Sequence, residues 1–535
     1  MTLAWNAQHG CGGNASNDPH NLQCNIVIQY TCDADHTDKA LAVALRNGAN
    51  TDTPNAEANN IANVANVQAA NDAANRGRHE SEYWYYECAN RSRNKGLFTA
   101  DQKLNGDTAI YTRQNAGGGR SGLECAEERD YYPYWTPTPW RDVAYLTSEI
   151  GNTNIDICKL VKEESQNVKD KYKCTGVTYA DVTAEKINPI TEAACTAASG
   201  TWKKYDSFKT AAPDCRGAEW TRDNHLGNTR EGQYHNYTWT LPTWDELINT
   251  QKFKPENTNF VKCVARIRYN ITTGDYDPWN TFAQSNNDKN VISNNPTLDL
   301  GADSQGLQLA LNTAQTGRTF QDRTHIFTIR KRPATGAPFT AATKIYNLNT
   351  IGKRGNIVQT FPSVEYMFMP NLLRVTTADF IHVQWTGSNT HNNGGGGGDG
   401  QTGDDGQGQG GTDRINLVLT QGEGFNWPIA LDKADDHMWK HTKCYVPDNT
   451  NAITDITTTN WVDCALIFAT SGKVRSVAGA TAQLNAQLND APPSLINGVL
   501  IRITKPGTYY YISSRNNNFT NRSQKGVIIV SAPTA

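Results

Sequence analysis

The sequence predicts a mainly β, multi-domain protein made of antiparallel β-sandwiches and rich in disulfides. Three observations carry this. The chain has 535 residues, beyond the usual span of one core. Its 22 Tyr and 13 Trp against 4 Met suit pleated, half-buried surfaces better than helical cores. Its twelve cysteines are Cys11, Cys24, Cys32, Cys88, Cys125, Cys158, Cys174, Cys195, Cys215, Cys263, Cys444 and Cys464. None forms a C-x-x-C pair, which removes zinc-ribbon and thioredoxin readings. An even, widely spaced set, ten in the first half and two in the second, fits disulfides confined within domains. Buried thiols in a cytosolic protein are the alternative.

Residues 1–335 read as one or more Cys-rich β-domains. LAW and, after the HGCGG turn, NIVIQYT alternate like strands. Residues 46–77 form an Ala/Asn-rich insertion in which Ile61, Val64 and Val67 fall three apart, fitting a short surface helix or an irregular loop. YYPYWTPTPW, at 131–140, holds three prolines and predicts an extended segment whose rings pack on a neighbour or on sugar. YTWTLPTW (237–244) and VKCVARIRYNIT (261–272) alternate as half-buried strands do, and THIFTIRKR reads as another. No period of solenoid length recurs.

Residues 340–535 read as a second module. KIYNLNTIG, NIVQTFPS, NLLRVTTADFIHVQWTG, RINLVLTQ, CALIFAT, GVLIRIT, GTYYYIS and GVIIVSA are short β-rich runs separated by Gly, Pro, Asn and Asp. That spacing describes an antiparallel sandwich. The glycine tract at 392–411 interrupts it as a loop, because glycine loses too much backbone entropy in a strand.

Charge is balanced, with 50 basic and 53 acidic residues mixed along the chain. No basic stripe suggests nucleic acid, and no apolar run is long enough for a transmembrane segment. Asn14, Asn90, Asn236, Asn270, Asn518 and Asn521 each begin an N-x-[ST] sequon. With the cysteines they point to the secretory route and N-linked glycans, although some sequons in so Asn-rich a chain arise by chance. The opening MTLAWNAQHGCGG has no secretory leader pattern, so the expectation is a chain that begins after processing or trimming.

Candidate chemistry is sparse. His437 and His441, four apart beside Asp435 and Asp436, have a spacing that can bind zinc or copper, against the plainer reading of unliganded surface histidines. Asp399, Asp404, Asp405 and Asp413 stud the glycine loop, where calcium is conceivable. The repeat needed for calcium breaks off, and a solvated loop is the default. Glu127, Glu128 and Asp130, and Asp245 with Glu246, are neighbouring acids of the kind found on solvated turns. Tyr131, Tyr132, Tyr134, Trp135 and Trp140 could form a flat platform for a sugar or another subunit; a Cys-stapled aromatic core explains them as well. No catalytic residue and no cofactor is assigned.

NLLRVTTADFIHVQWTGSNTH, followed downstream by PGTYYYI and KGVIIV, resembles a cupredoxin. In that fold one strand carries a His and the final hairpin carries Cys, His and often Met or Gln. A blue-copper site needs thiolate and imidazole together. From Lys505 to Ala535 there is no Cys, His or Met, so His382 and His391 stand without partners and the resemblance implies a sandwich without its copper.

A wider resemblance covers almost the whole chain. WNAQHGCGG, CNIVIQYTC, RNKGLFTADQKLNGDTAIYTRQN, ECAEERDYYPYWTPTPWRDVA, SQNVKDKYKC, NTREGQYHNYTWTLP, CVARIRYNITTGDY, ALNTAQTGRTFQDRTHIFTI and GQGGTDRINLVL occur in that order. They resemble the secreted "DD three-three" family of cellular slime moulds and its relatives in other protists. The resemblance implies a secreted, Cys-rich glycoprotein and hands over no catalytic residues. The chain departs from the family pattern in its opening, which lacks a signal peptide and a polar segment before the first strand, and in its expanded glycine tract.

The functional expectation is therefore a non-enzymatic structural glycoprotein, extracellular or at the cell surface. It would self-assemble into a coat, matrix or filament through β-strand edges, its partner being itself. A carbohydrate-binding protein using the aromatic platform is the alternative, and a metal-dependent enzyme is less favoured. Within the second module Cys444 has only Cys464 to pair with.

Overall fold

The computed structural model describes residues 1–5, 22–36, 136–150, 156–177, 189–219, 233–255, 258–273, 319–332, 342–352, 366–386, 416–448, 452–457, 460–470, 497–514 and 524–533, with isolated positions between them. The insertion 46–77, the glycine tract 392–411, Cys88, Cys125, Asn14, Asn90, Asn518, Asn521, Glu127, Glu128, Asp130, Tyr131, Tyr134, Trp135 and His391 lie outside the described residues.

In chain order the elements are β1 (Thr2–Trp5), β2 (Leu22–Cys32), β3 (Arg141–Thr147), α1 (Ile157–Glu164), β4 (Lys171–Thr175), α2 (Glu192–Ala197), β5 (Thr201–Tyr205), β6 (Asp214–Gly217), β7 (His235–Thr238), β8 (Phe260–Thr273), β9 (Thr297–Leu298), β10 (Leu307–Gln308) and β11 (Thr319–Arg330). They continue as β12 (Ile345–Gly352), β13 (Tyr366–Met369), β14 (Leu372–Thr376), β15 (Phe380–Thr386), β16 (Val418–Thr420), β17 (Thr442–Pro447), β18 (Ile453–Asp455), α3 (Trp461–Ala469), β19 (Val499–Ile503), β20 (Gly507–Ile512) and β21 (Lys525–Ser531). The protein is mainly β, as composition and spacing predict.

Two compact units are present. One gathers Ala7–Gln233 and Thr243–Ile329, the other Met1–Asn6, Tyr234–Pro242 and Arg330–Ala535. The first is organised by a five-stranded sheet in the order β11-β8-β2-β3-β6. β2 and β8 pair antiparallel over their whole shared length, from Leu22 opposite Thr273 to Cys32 opposite Cys263. Helix α1 starts at Asp156, whose side chain accepts the Lys159 N–H at 3.0 Å. Its Val161 is buried with Val27 and Tyr145, covering one face of the sheet. Burying such a side chain contributes about 1.5–3 kcal/mol. Among the described residues four disulfides hold this unit: Cys11–Cys24, Cys32–Cys263, Cys158–Cys215 and Cys174–Cys195.

The other unit is a sandwich. A six-stranded sheet in the order β13-β12-β15-β19-β17-β18 faces a four-stranded sheet in the order β14-β21-β20-β16. One core draws on both: Leu348, Val383, Val499 and Ile501 from the first, Leu373, Leu419, Tyr511 and Ile528 from the second. The Phe368 and Tyr511 rings meet edge to face across the sandwich, 4.7 Å apart. Most pairings are antiparallel, while β3–β6, β12–β15 and β14–β21 run parallel. β1 and β7 form a separate two-stranded ribbon in this unit.

CALIFAT is the clear correction to the strand expectations. Residues 461–469 are helix α3, capped by Asn460, whose side-chain oxygen accepts the Val462 N–H at 3.0 Å. A short apolar run has no period to separate strand from helix, so the cap decides. Cys464 of α3 is bonded to Cys444 of β17, fixing the helix to the sheet.

Candidate functional site

The cupredoxin histidine can be placed first. On β15, Ile381 and Val383 enter the sandwich core, so His382 between them faces the other side of the sheet. Its Nε2 lies 2.7 Å from the Asn497 carbonyl and must carry the proton, since a carbonyl only accepts. On the same face the Asn347 amide donates to Gln384 Oε1 at 3.1 Å. Gly498 closes the site at φ +67°, and a Cβ there would stand 2.5 Å from the Val383 carbonyl and 2.6 Å from His382 Nε2. Burial, reinforced by the Arg330 charge, pushes the His382 pKa down and keeps the ring neutral. One ring nitrogen is thus committed to backbone, and the β20–β21 stretch supplies no Cys, His or Met. The residues do not fit a blue-copper centre.

His437 and His441 are put to different uses. His437 is 6% exposed, its ring edge-on to Trp461 at 4.4 Å, and burial lowers its pKa. His441 contacts Asp436 at 2.5 Å, and Lys505 approaches the same carboxylate. Lys505 and His441 together hold the Asp436 carboxyl at about 2. Among the described residues no group of three or more His, Cys, Asp or Glu could hold a metal ion. Asp245 and Glu246 serve locally: Glu246 accepts from the Thr243 N–H at 2.7 Å, as in a helix-capping box.

Of the aromatic platform, Trp140 is fully buried and offers no face to a ligand; the Arg266 guanidinium lies 4.0 Å over its ring. Tyr132 is half-buried and stacks on Tyr145 at 5.1 Å. Both belong to a buried polar network. A bulge between Ile28 and Gln29 resets the β2–β3 register so that Gln29 opposes Asp142. Gln29 donates to Asp142 Oδ1 at 2.6 Å, Ser165 to Oδ2 at 2.5 Å, and Arg266 Nε to Gln29 Oε1 at 2.7 Å. Desolvation raises the Asp142 pKa, yet both oxygens are occupied by protein donors, so the arrangement locks strand register. Arg141 is held likewise between the Phe208 and Phe253 rings, at 3.8 and 4.0 Å, and burial lowers its pKa to about 9.

Two surfaces remain. Among the described residues the four-stranded sheet ends on β14. The Asn371 carbonyl and the Thr377 N–H point at β21, so by alternation Leu372 and Arg374 turn their backbone groups outward. Leu372 is 47% exposed, and Arg374 is exposed too. After β16, the loop GEGFNWP holds Phe425 and Trp427 on the surface. These two rings escape sequence reading because the loop has neither periodicity nor a motif. Of the sequons, Asn236 and Thr238 share the exposed side of β7, while Asn270 is half-buried on β8 with its side-chain oxygen enclosed.

Fold and site together define a two-module, disulfide-bridged β-protein whose C-terminal sandwich is cupredoxin-like and without the blue-copper donor set. A family model described as the DD3-3 N-terminal domain matches residues 1–329, and one described as the DD3-3 cupredoxin-like domain matches residues 343–530. The chain belongs to the DD3-3 family. Comparison with curated proteins and with solved structures gives no match. No helix among the described residues is long and apolar enough to cross a membrane.

Proposed function

We propose that the protein is a secreted structural glycoprotein that self-assembles outside the cell, copies joining through sheet edges. The observation that carries this reading is β14: a regular five-residue edge strand with outward backbone donors and acceptors and an exposed Leu372. Soluble β-proteins blunt such edges with bulges, prolines or charges, and an unblunted one is a template for strand addition. β14 carries one charge, Arg374, and no proline. Disulfides in both units suit an oxidising compartment.

Sedimentation velocity over a concentration series tests the reading. The intact protein is expected to form oligomers that grow with concentration. Arg374→Pro removes one outward N–H and leaves the β14–β21 bonds in place, and Leu372→Lys charges the edge; each should shift the distribution toward monomer. A wild-type protein that stays monomeric throughout, or variants that assemble unchanged, would refute the proposal.

A further inference from the structure

We infer that the loop between β16 and β17 is a binding site for uncharged polysaccharide, with Trp427 and Phe425 as stacking faces and Glu423 and Asn426 as the groups that meet sugar hydroxyls. Trp427 is 72% exposed and Phe425 52%, and the five residues Glu423 to Trp427 are all exposed. Large aromatic side chains rarely stand this far out of a fold without a partner.

The loop is built, and its ends are anchored. Leu419 lies in the core, and Ile429 and Leu431 pack against that core. The Ile429 N–H bonds the Leu419 carbonyl at 3.0 Å, closing the loop at its base. Thr420 Oγ1 donates to the Trp427 carbonyl at 3.2 Å, the Phe425 N–H to the Gly422 carbonyl at 3.1 Å, and the Lys525 ammonium reaches the Glu423 carbonyl. A segment fixed this way loses little entropy on binding. Of the flanking apolar residues, Leu419, Ile429 and Leu431 are turned to the core, and the exposed residues beside the two rings are Glu423, Gly424 and Asn426.

That surround selects the ligand. A protein partner would need contiguous apolar area around its anchor residues. Here the chain neighbours are a carboxylate, an amide, glycines and a single apolar residue, Pro428. Charge is close to balanced, with Glu423, Asp432, Asp435 and Asp436 against Lys433 and Lys440 of the loop and the adjoining Lys525, so neither an anionic membrane nor an acidic glycan is favoured. Planar faces bordered by an amide and a carboxylate complement a neutral pyranose, which has apolar C–H faces and a rim of hydroxyls. The inference is independent of self-assembly.

The test uses the intact glycoprotein with cellulose, xylan and laminarin as neutral probes, and heparin and phosphatidylserine vesicles as charged ones. Depletion from solution and tryptophan fluorescence are the readouts. The expected result is binding to at least one neutral polymer, unchanged from low to high salt. Trp427→Ala should weaken it by at least about tenfold, Phe425→Ala less, and Trp427→Tyr should retain part of it. Both positions are exposed, so the thermal midpoint and the sedimentation profile should not move. No binding to any neutral polymer, binding unaffected by Trp427→Ala, or binding confined to heparin or vesicles would overturn the inference.

Discussion

Replacing Cys32 and Cys263 together by Ala tests how far covalent links hold the first unit. The two residues are the last opposed pair of the β2–β8 ladder, both fully buried, with a sequence separation of 231. Opening a loop of that length restores conformational entropy to the unfolded chain worth about 5 kcal/mol. The nested Cys158–Cys215 bridge, with a separation of 57, shortens the effective loop by about a quarter. Because the dependence is logarithmic, that changes the figure by only about 0.3 kcal/mol. Each Ala keeps its Cβ, and the small cavity left by the two buried sulfurs adds to the loss rather than offsetting it. The assay is urea unfolding of the intact chain without reductant, comparing wild type and variant. The expected loss is about 3–5 kcal/mol, and a loss below about 1 kcal/mol would refute the reasoning.

Four further outcomes follow from particular residues. Gly498→Ala should destabilise the sandwich by about 2 kcal/mol or more, because the added Cβ meets the Val383 carbonyl at a positive φ; thermal unfolding reads it. His382 and His437 both have lowered pKa values, so at mildly acid pH the unfolded chain binds more protons than the folded one. Stability of that unit should be complete above about pH 6.5 and fall as pH drops below it, and His437→Phe should flatten a series of melting curves. Glycopeptide mass spectrometry should find a glycan on Asn236, exposed on β7, and none on Asn270, which is half-buried within the β2–β8 ladder. Arg266→Ala should cost about 3–5 kcal/mol, since it strips Trp140 of its cation and the Gln29–Asp142 pair of its donor; urea unfolding measures it.

The strands were legible where the chain is long and alternating. NIVIQYT, VKCVARIRYNIT and THIFTIRKR fall in β2, β8 and β11, and KIYNLNTIG is β12. NLLRVTTADFIHVQWTG reads as one run, yet Thr377 to Asp379 turn it into β14 and β15 of opposite sheets. The turn is short and capped by Asp379, whose carboxylate accepts from the Thr376 N–H at 2.7 Å, a bond that no periodicity reveals. Helices α1 and α2 are only eight and six residues long, with Asp156 and Thr191 as caps, and are too brief to show a helical period. YTWTLPTW reads as one strand to residue 244, while β7 ends at Thr238, ahead of Pro242. The site was legible in its negative part, since the missing Cys, His and Met can be read directly. Its positive part was hidden: the sequence leaves Trp140 open between a ligand platform and an aromatic core until Arg266 is placed over it, and Trp427 gives no signal before the fold turns it outward.

We propose that sheet edges of this disulfide-bridged protein join copy to copy outside the cell. Negative-stain imaging of the protein isolated from its native source without reductant tests it most directly. Filaments, sheets or other repeating assemblies that disperse in the Arg374→Pro variant are expected. A field of separate single particles at the same concentration would contradict it.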